Sequence, residues 1–141
     1  MSSLSPEVRQ KIDRAKEELV REAEKLLVDA NVKPRDFGHS QLRNLTAVAT
    51  ETESPAVVMN FIRYQMGRAD QRSGWAQEIG GKRLGQRFID ALDGKDGAVQ
   101  KALSEIAQVK GDKLAEQLAR MELIRYFLGF ATRYLKYLEL S

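Results

Sequence analysis

Residues 112–138 read DKLAEQLARMELIRYFLGFATRYLKYL, and the spacing of their apolar positions decides the fold. Leu114, Leu118, Met121, Phe127 or Leu128, Ala131, Leu135 and Leu138 form a stripe sustained over about seven helical turns. Asp112 can cap the start of this helix, and Gly111 closes the segment before it. An element this long predicts a central strut on which shorter helices pack. Working back towards the amino end, a helical pattern runs from Asp96 through Val99, Leu103 and Ile106. Another runs over Leu84, Phe88, Ile89 and Leu92 and stops at Asp93-Gly94.

The first half carries two copies of one start signal. Ser5-Pro6-Glu7 places a capping hydroxyl, a proline at the first helical position and an acid in the first turn. The helix it opens has Val8, Ile12, Ala15, Leu19, Ala23, Leu26 and Ala30 on one side, and Asn31 with Lys33-Pro34 ends it. Ser54-Pro55 repeats the signal and opens a helix with Val57, Val58, Phe61, Ile62 and Met66 inward, running to about Gly67. Between these two, Ser40 is expected to cap a shorter helix with Leu42, Leu45, Val48 and Ala49 inward. Gly67 to Gly85 reads as partly looped, because glycines interrupt it and Trp75 and Ile79 are its only large apolar residues. No run alternates with period two, no repeat of 20 to 50 residues is apparent, and low-complexity tracts are absent. The expected architecture is all-α, one domain over residues 1–141, with five or six helices.

Composition bounds the function. Hydrophobic residues at 43% and charged residues at 30% suit a globular chain. Met1 to Pro6 lacks signal-peptide features and no stretch of eighteen apolar residues exists, so a cytoplasmic protein without membrane contact is expected. With no cysteine and one histidine, thiolate zinc sites, cysteine nucleophiles and histidine-based triads have no residues to work with. His39 reads as a solvated loop histidine. Asp90, Asp93 and Asp96 read as capping acids and not as metal ligands, and neither metal nor cofactor is expected. Gly80-Gly81-Lys82-Arg83-Leu84-Gly85 lacks the nucleotide-loop pattern and a preceding strand, which leaves a turn between helices or a loop resting on a nucleic-acid backbone. Phe61, Phe88, Phe127 and Tyr134 fall at helical spacing and read as core, whereas Trp75 is open to either assignment.

The net charge of +3 is distributed unevenly. Residues 1–32 hold six basic and seven acidic side chains, residues 33–87 nine and five, and residues 88–141 eight and eight. Within the middle segment, residues 63–87 set Arg63, Arg68, Arg72, Lys82, Arg83 and Arg87 against Asp70 and Glu78. This is a local basic patch suited to gripping phosphates.

Three separated motifs occur in order: Ser40-Gln41-Leu42-Arg43-Asn44-Leu45, Phe61-Ile62-Arg63-Tyr64-Gln65-Met66-Gly67-Arg68, and Phe127-Leu128-Gly129-Phe130-Ala131-Thr132-Arg133-Tyr134. In these the chain resembles the small helical subunit of the type III-A CRISPR (Csm) effector complex, a component of antiviral defence, over about residues 39–138. The resemblance implies a non-catalytic subunit, present in several copies along a ribonucleoprotein filament. Such a subunit contacts copies of itself and the other effector subunits and holds crRNA with its target RNA, while backbone subunits perform cleavage. Read together with the charge patch, it makes Arg43, Arg63, Tyr64, Arg68, Arg72, Lys82, Arg83 and Arg87 the expected RNA-binding residues, with Tyr64 positioning Arg68. The competing reading is a helical protein-protein adaptor that uses the apolar stripes of its first and last helices, its basic patch being incidental. A small DNA-binding regulator ranks below both, because Glu51-Thr52-Glu53 puts acidic charge where a helix-turn-helix needs a tight turn.

Overall fold

Asp112 begins the element around which the others are arranged: its carboxylate accepts the Ala115 N–H at 3.0 Å, and α6 follows as Lys113–Leu138. The computed structural model describes residues 4–35, 37–68 and 74–140, and within them the chain is an all-α bundle of six helices with one small hairpin. The other helices are α1 (Pro6–Asp29), α2 (His39–Glu51), α3 (Pro55–Arg68), α4 (Leu84–Asp93) and α5 (Ala98–Ser104). α6 contacts α1, α2, α3 and α5, while α3 and α4 pack on each other. Lys16 lies over the Tyr126 ring, and Val20 and Glu24 border Phe130 to Tyr137. α1 and α6 therefore run side by side in the same direction. α2 runs against them, since Thr46 meets Thr132 and the α2 end meets Arg125.

Both Ser-Pro signals operate as read. Ser5 Oγ accepts from Val8 N and Ser54 Oγ from Val57 N, each at 3.3 Å. α1 ends through Asn31, which takes the left-handed conformation (φ 49°) while Val32 N–H returns to the Leu27 carbonyl at 3.1 Å. This is the closing pattern usually given to glycine, and buried Val32 packs over the last turn beside Leu27.

Several expectations need correction. α2 is not capped by Ser40: it starts two residues earlier, from Gly38, whose N–H is taken by the Gln41 side chain at 2.7 Å. On α1 the fully buried position is Leu27, with Leu26 only partly covered. On α3 Val57 is 47% exposed and Met59 is buried, because the helix is turned towards α4 by about one position. Leu114 is exposed in the first turn of α6, and α5 is shorter than its pattern, ending at Ser104 before a 3₁₀ turn at Ala107–Val109.

The segment before α4, read as partly looped, contains a 3₁₀ turn at Gly74–Ala76 and an antiparallel pair, β1 (Glu78–Ile79) and β2 (Lys82–Arg83). Gly80 and Gly81 both have positive φ (65° and 78°), as a two-residue hairpin turn requires. Trp75 is core. Its ring meets Phe37 at 4.7 Å and Phe88 at 5.5 Å, both edge to face, and Phe88 meets Phe127 at 6.4 Å. Phe61 and Tyr134 are only partly buried against the core.

Two contacts hold the layers in register. Arg125 of α6 donates to the Ala49 carbonyl at 2.9 Å and the Thr52 carbonyl at 2.7 Å and pairs with Glu53, which fastens the α2–α3 link to the strut. At the α4–α5 link, a Cβ on Gly97 would stand 2.1 Å from the Asp90 carbonyl oxygen, so only glycine permits that turn. Gly97→Ala is expected to cost at least about 2 kcal/mol, because the obstacle is backbone and cannot swing aside. Gly129, mid-way along α6 with open space around it, gives the opposite expectation: Gly129→Ala stabilises by about 0.5–1 kcal/mol. Urea unfolding of the two variants beside the parent checks both signs.

Candidate nucleic-acid interface

α3 and α4 cross so closely that a Cβ on Gly85 would meet Met66 Cγ at 2.4 Å and Ile62 Cγ2 at 3.3 Å. Gly85 is thus a packing residue inside α4 and not part of a phosphate loop. Its contact with Met66 brings the end of α3 beside the start of α4. Arg63 and Arg68 on one side, and Arg83 on the other, lie within three residues of this contact along the chain. All three are exposed, and none has an ion-pair partner among the described residues.

On α3 the inward set is Val58, Met59 and Ile62, so Tyr64 and Arg68, one turn apart, share an outer flank with Val57. Tyr64 is 61% exposed, and the Arg68 guanidinium lies 5.8 Å from its ring centre. The aromatic face orders the cation without consuming its five donors. Arg63 precedes Tyr64 by one position and projects about 100° away around the axis, so these cations border the corner from two sides. Gly67, in the last turn of α3, has no atom of the described residues within 4 Å of where a Cβ would sit. Arg83 occupies the N-cap position of α4 with no side-chain cap. The Leu84 N–H is taken by the Gln77 carbonyl at 2.8 Å, and the positive end of the helix dipole favours anions there.

The remaining expected residues divide. Arg43 is exposed on α2 beside Asn44, and Arg72 lies outside the described residues. Lys82 is committed to Asp90, Nζ to Oδ2 at 2.7 Å. Arg87 is half-buried beneath the hairpin, donating to the Ile79 carbonyl at 2.7 Å, with its Nε enclosed and unpaired. The geometry gives Arg87 a structural role, which its position in a run of cations did not indicate. His39 begins α2 and is partly covered. Among the described residues no group of three or more histidine, cysteine, aspartate or glutamate side chains is disposed to hold a metal ion. Among the described residues no helix is long and apolar enough to cross a membrane.

Asp90, which pairs with Lys82 of the hairpin, has a shifted titration. Partial burial pushes its carboxyl up, and hydrogen bonds from Lys82 and Gln86, with the charges of Lys82 and Arg87, outweigh that and leave it below the usual carboxylate range. A depressed carboxyl contributes stability that is fully present above its unfolded value near 3.8 and is lost as pH falls through the lower folded value. The pair is about half exposed, so the contribution is held under about 1 kcal/mol. Thermal midpoints of the parent and Asp90→Asn are expected to differ at pH 6 and to converge below the ordinary carboxylate range. Separately, Arg87→Ala is expected to lower the midpoint by releasing the hairpin, whereas Arg83→Ala leaves the stability within about 0.5 kcal/mol of the parent's, as for an exposed side chain.

Comparisons with known protein families, with curated proteins and with solved structures find no match.

Proposed function

We propose that this chain is a non-catalytic, RNA-gripping structural subunit of the type III-A CRISPR (Csm) kind, holding crRNA and target RNA through their phosphates. One observation carries the reading: at the α3–α4 corner Arg63, Arg68 and Arg83 are exposed and make no ion pair among the described residues, and Arg68 lies against the Tyr64 ring. It includes the Tyr64-x-x-Gly67-Arg68 segment, the second of the three motifs on whose combination the family resemblance rests. Three cations can follow a phosphate chain without touching base edges. Shape and charge then do the recognising, as in proteins that hold RNA regardless of its sequence.

The adaptor reading depends on free apolar stripes on the first and last helices. Val8, Ile12, Leu19, Ala23 and Leu27 of α1 and Met121, Phe127, Leu128, Ala131 and Leu135 of α6 are buried in the shared core. Most of each stripe is spent on folding; Leu114 stays exposed, as do Val28 and Tyr137 off the stripes, so the observations favour the RNA-gripping reading.

The test is binding of the purified chain to a labelled random-sequence RNA strand over a salt series. Affinity is expected to fall with a log-log slope of roughly −2 to −3, as for three or four phosphate contacts on a single strand. Arg68→Glu and Arg83→Glu should each weaken binding and flatten that slope, with Arg87→Lys close to the parent. Parental affinity in both charge reversals, or a slope near zero, would overturn the reading.

A further inference from the structure

A second group of cation and aromatic side chains lies on α1 and α6 and shares no residue with the α3–α4 corner. Tyr126, Phe130, Tyr134 and Tyr137 follow one another along α6 at steps of four, four and three, so they form a row on one side of the helix. Tyr126 and Phe130 stack with centres 6.2 Å apart and planes 20° apart, and Tyr134 and Tyr137 sit 5.7 Å apart at 34°. The core does not need the end of this row: Tyr137 is 62% exposed. Beside it, with Val20 and Glu24 of α1 opposite, an open groove of about 430 Å³ is bounded by Phe130, Arg133, Tyr134 and Tyr137.

The two charged residues of the groove are both uncommitted. The Arg133 guanidinium lies 5.9 Å from the Phe130 ring centre, and neither Arg133 nor Glu24 makes a side-chain hydrogen bond or ion pair among the described residues. They are not within ion-pair distance of each other. A groove for an apolar helix would offer aliphatic side chains, and here Val20 is the only one. What the groove offers is an exposed tyrosine face, a free cation stacked on a ring, and a free carboxylate across from them.

We propose that this groove takes one unpaired base of an RNA strand, a guanine in preference. The base stacks on Tyr137 and Tyr134, and Arg133 holds the adjoining phosphate. Glu24 accepts from the base edge. Guanine presents two N–H donors side by side to a carboxylate, whereas uracil flanks its single N–H with carbonyl oxygens that a carboxylate repels. The site would add a modest base preference to a protein whose main grip is sequence-independent. It rests on the RNA-binding reading for its ligand but not on the α3–α4 corner for its residues.

The test uses the full chain and three labelled hexamers: all uridine, uridine with one central guanosine, and uridine with one central abasic nucleotide. The guanosine strand is expected to bind at least about fivefold tighter than the abasic one, the low end of base–aromatic stacking. Tyr137→Ala should remove that gain without changing the salt slope. Glu24→Gln should abolish the preference for guanosine over uridine while leaving the uridine strand unaffected. Ring resonances of Tyr134 and Tyr137 should shift on adding the guanosine strand, in the parent and in the Arg68→Glu/Arg83→Glu double variant alike. Equal affinity for all three strands would overturn the proposal, as would unmoved tyrosine resonances at saturating RNA. Failure of the corner reading looks different: ring shifts and guanosine preference persist while the arginine reversals leave the salt slope unchanged. If Tyr137→Ala instead dissociates a dimer seen by sedimentation and RNA leaves the rings unmoved, the groove is a contact between copies and the proposal falls.

Discussion

Everything in this fold depends on the first and last helices lying side by side. α1 alone is a one-sided helix with nowhere to bury Leu19, Ala23 and Leu27, and α6 is too long and too apolar on one side to stand free. Pressed together they form the floor on which α2 runs the opposite way and α5 also packs. Arg125 then fixes where the α2–α3 link must sit. Because that link starts α3, and α3 crosses α4 at Gly85, the placement of the basic corner follows from the core outward.

The parts of this structure that could be read in the sequence are those whose cause is local. A capping hydroxyl before a proline, an aspartate after a glycine, and a stripe of leucines each act within one or two helical turns. The starts of α1, α3 and α6 were legible for that reason. Gly38 displaced Ser40 as the start of α2 because the Gln41 side chain can satisfy the Gly38 amide, an arrangement that looks no different in sequence from an ordinary glutamine in a first turn. Trp75 and the hairpin were not legible. Strands of two residues have no period to detect, and the partners of Trp75, Phe37 and Phe88, lie 38 residues before it and 13 after it.

The candidate site shows the same division. A run of cations is visible in sequence, but whether each cation is free depends on neighbours that folding supplies. Lys82 meets Asp90 because the hairpin folds onto α4, and Arg87 turns beneath Ile79 for the same reason. Arg63, Arg68 and Arg83 make no ion pair among the described residues, although Glu78 stands across the hairpin from Arg83. Of the α6 aromatics, Phe127 and Tyr134 read as core and Phe130 falls in a family motif, whereas Tyr126 and Tyr137 carry no signal in the sequence. Their arrangement as a row facing Glu24 depends on α1, more than a hundred residues away in the chain.

The pairing of α1 with α6 also governs how the chain must be made. During synthesis α1 emerges first, and its partner stripe begins only at Lys113, so at ordinary elongation rates roughly ten seconds pass before α6 can cover it. Through that interval Val8, Leu19 and Leu27 are sheltered by no native neighbour from the strut. A truncated chain lacking α6 would therefore be a client for chaperones and not a smaller version of the bundle. Contacts between distant parts of the chain close last and slow the folding step. The polar coating of α1, with Arg21 paired to Glu17 and Glu18 and Lys25 to Asp29 along its outer side, keeps the waiting helix dispersed in water until its partner arrives.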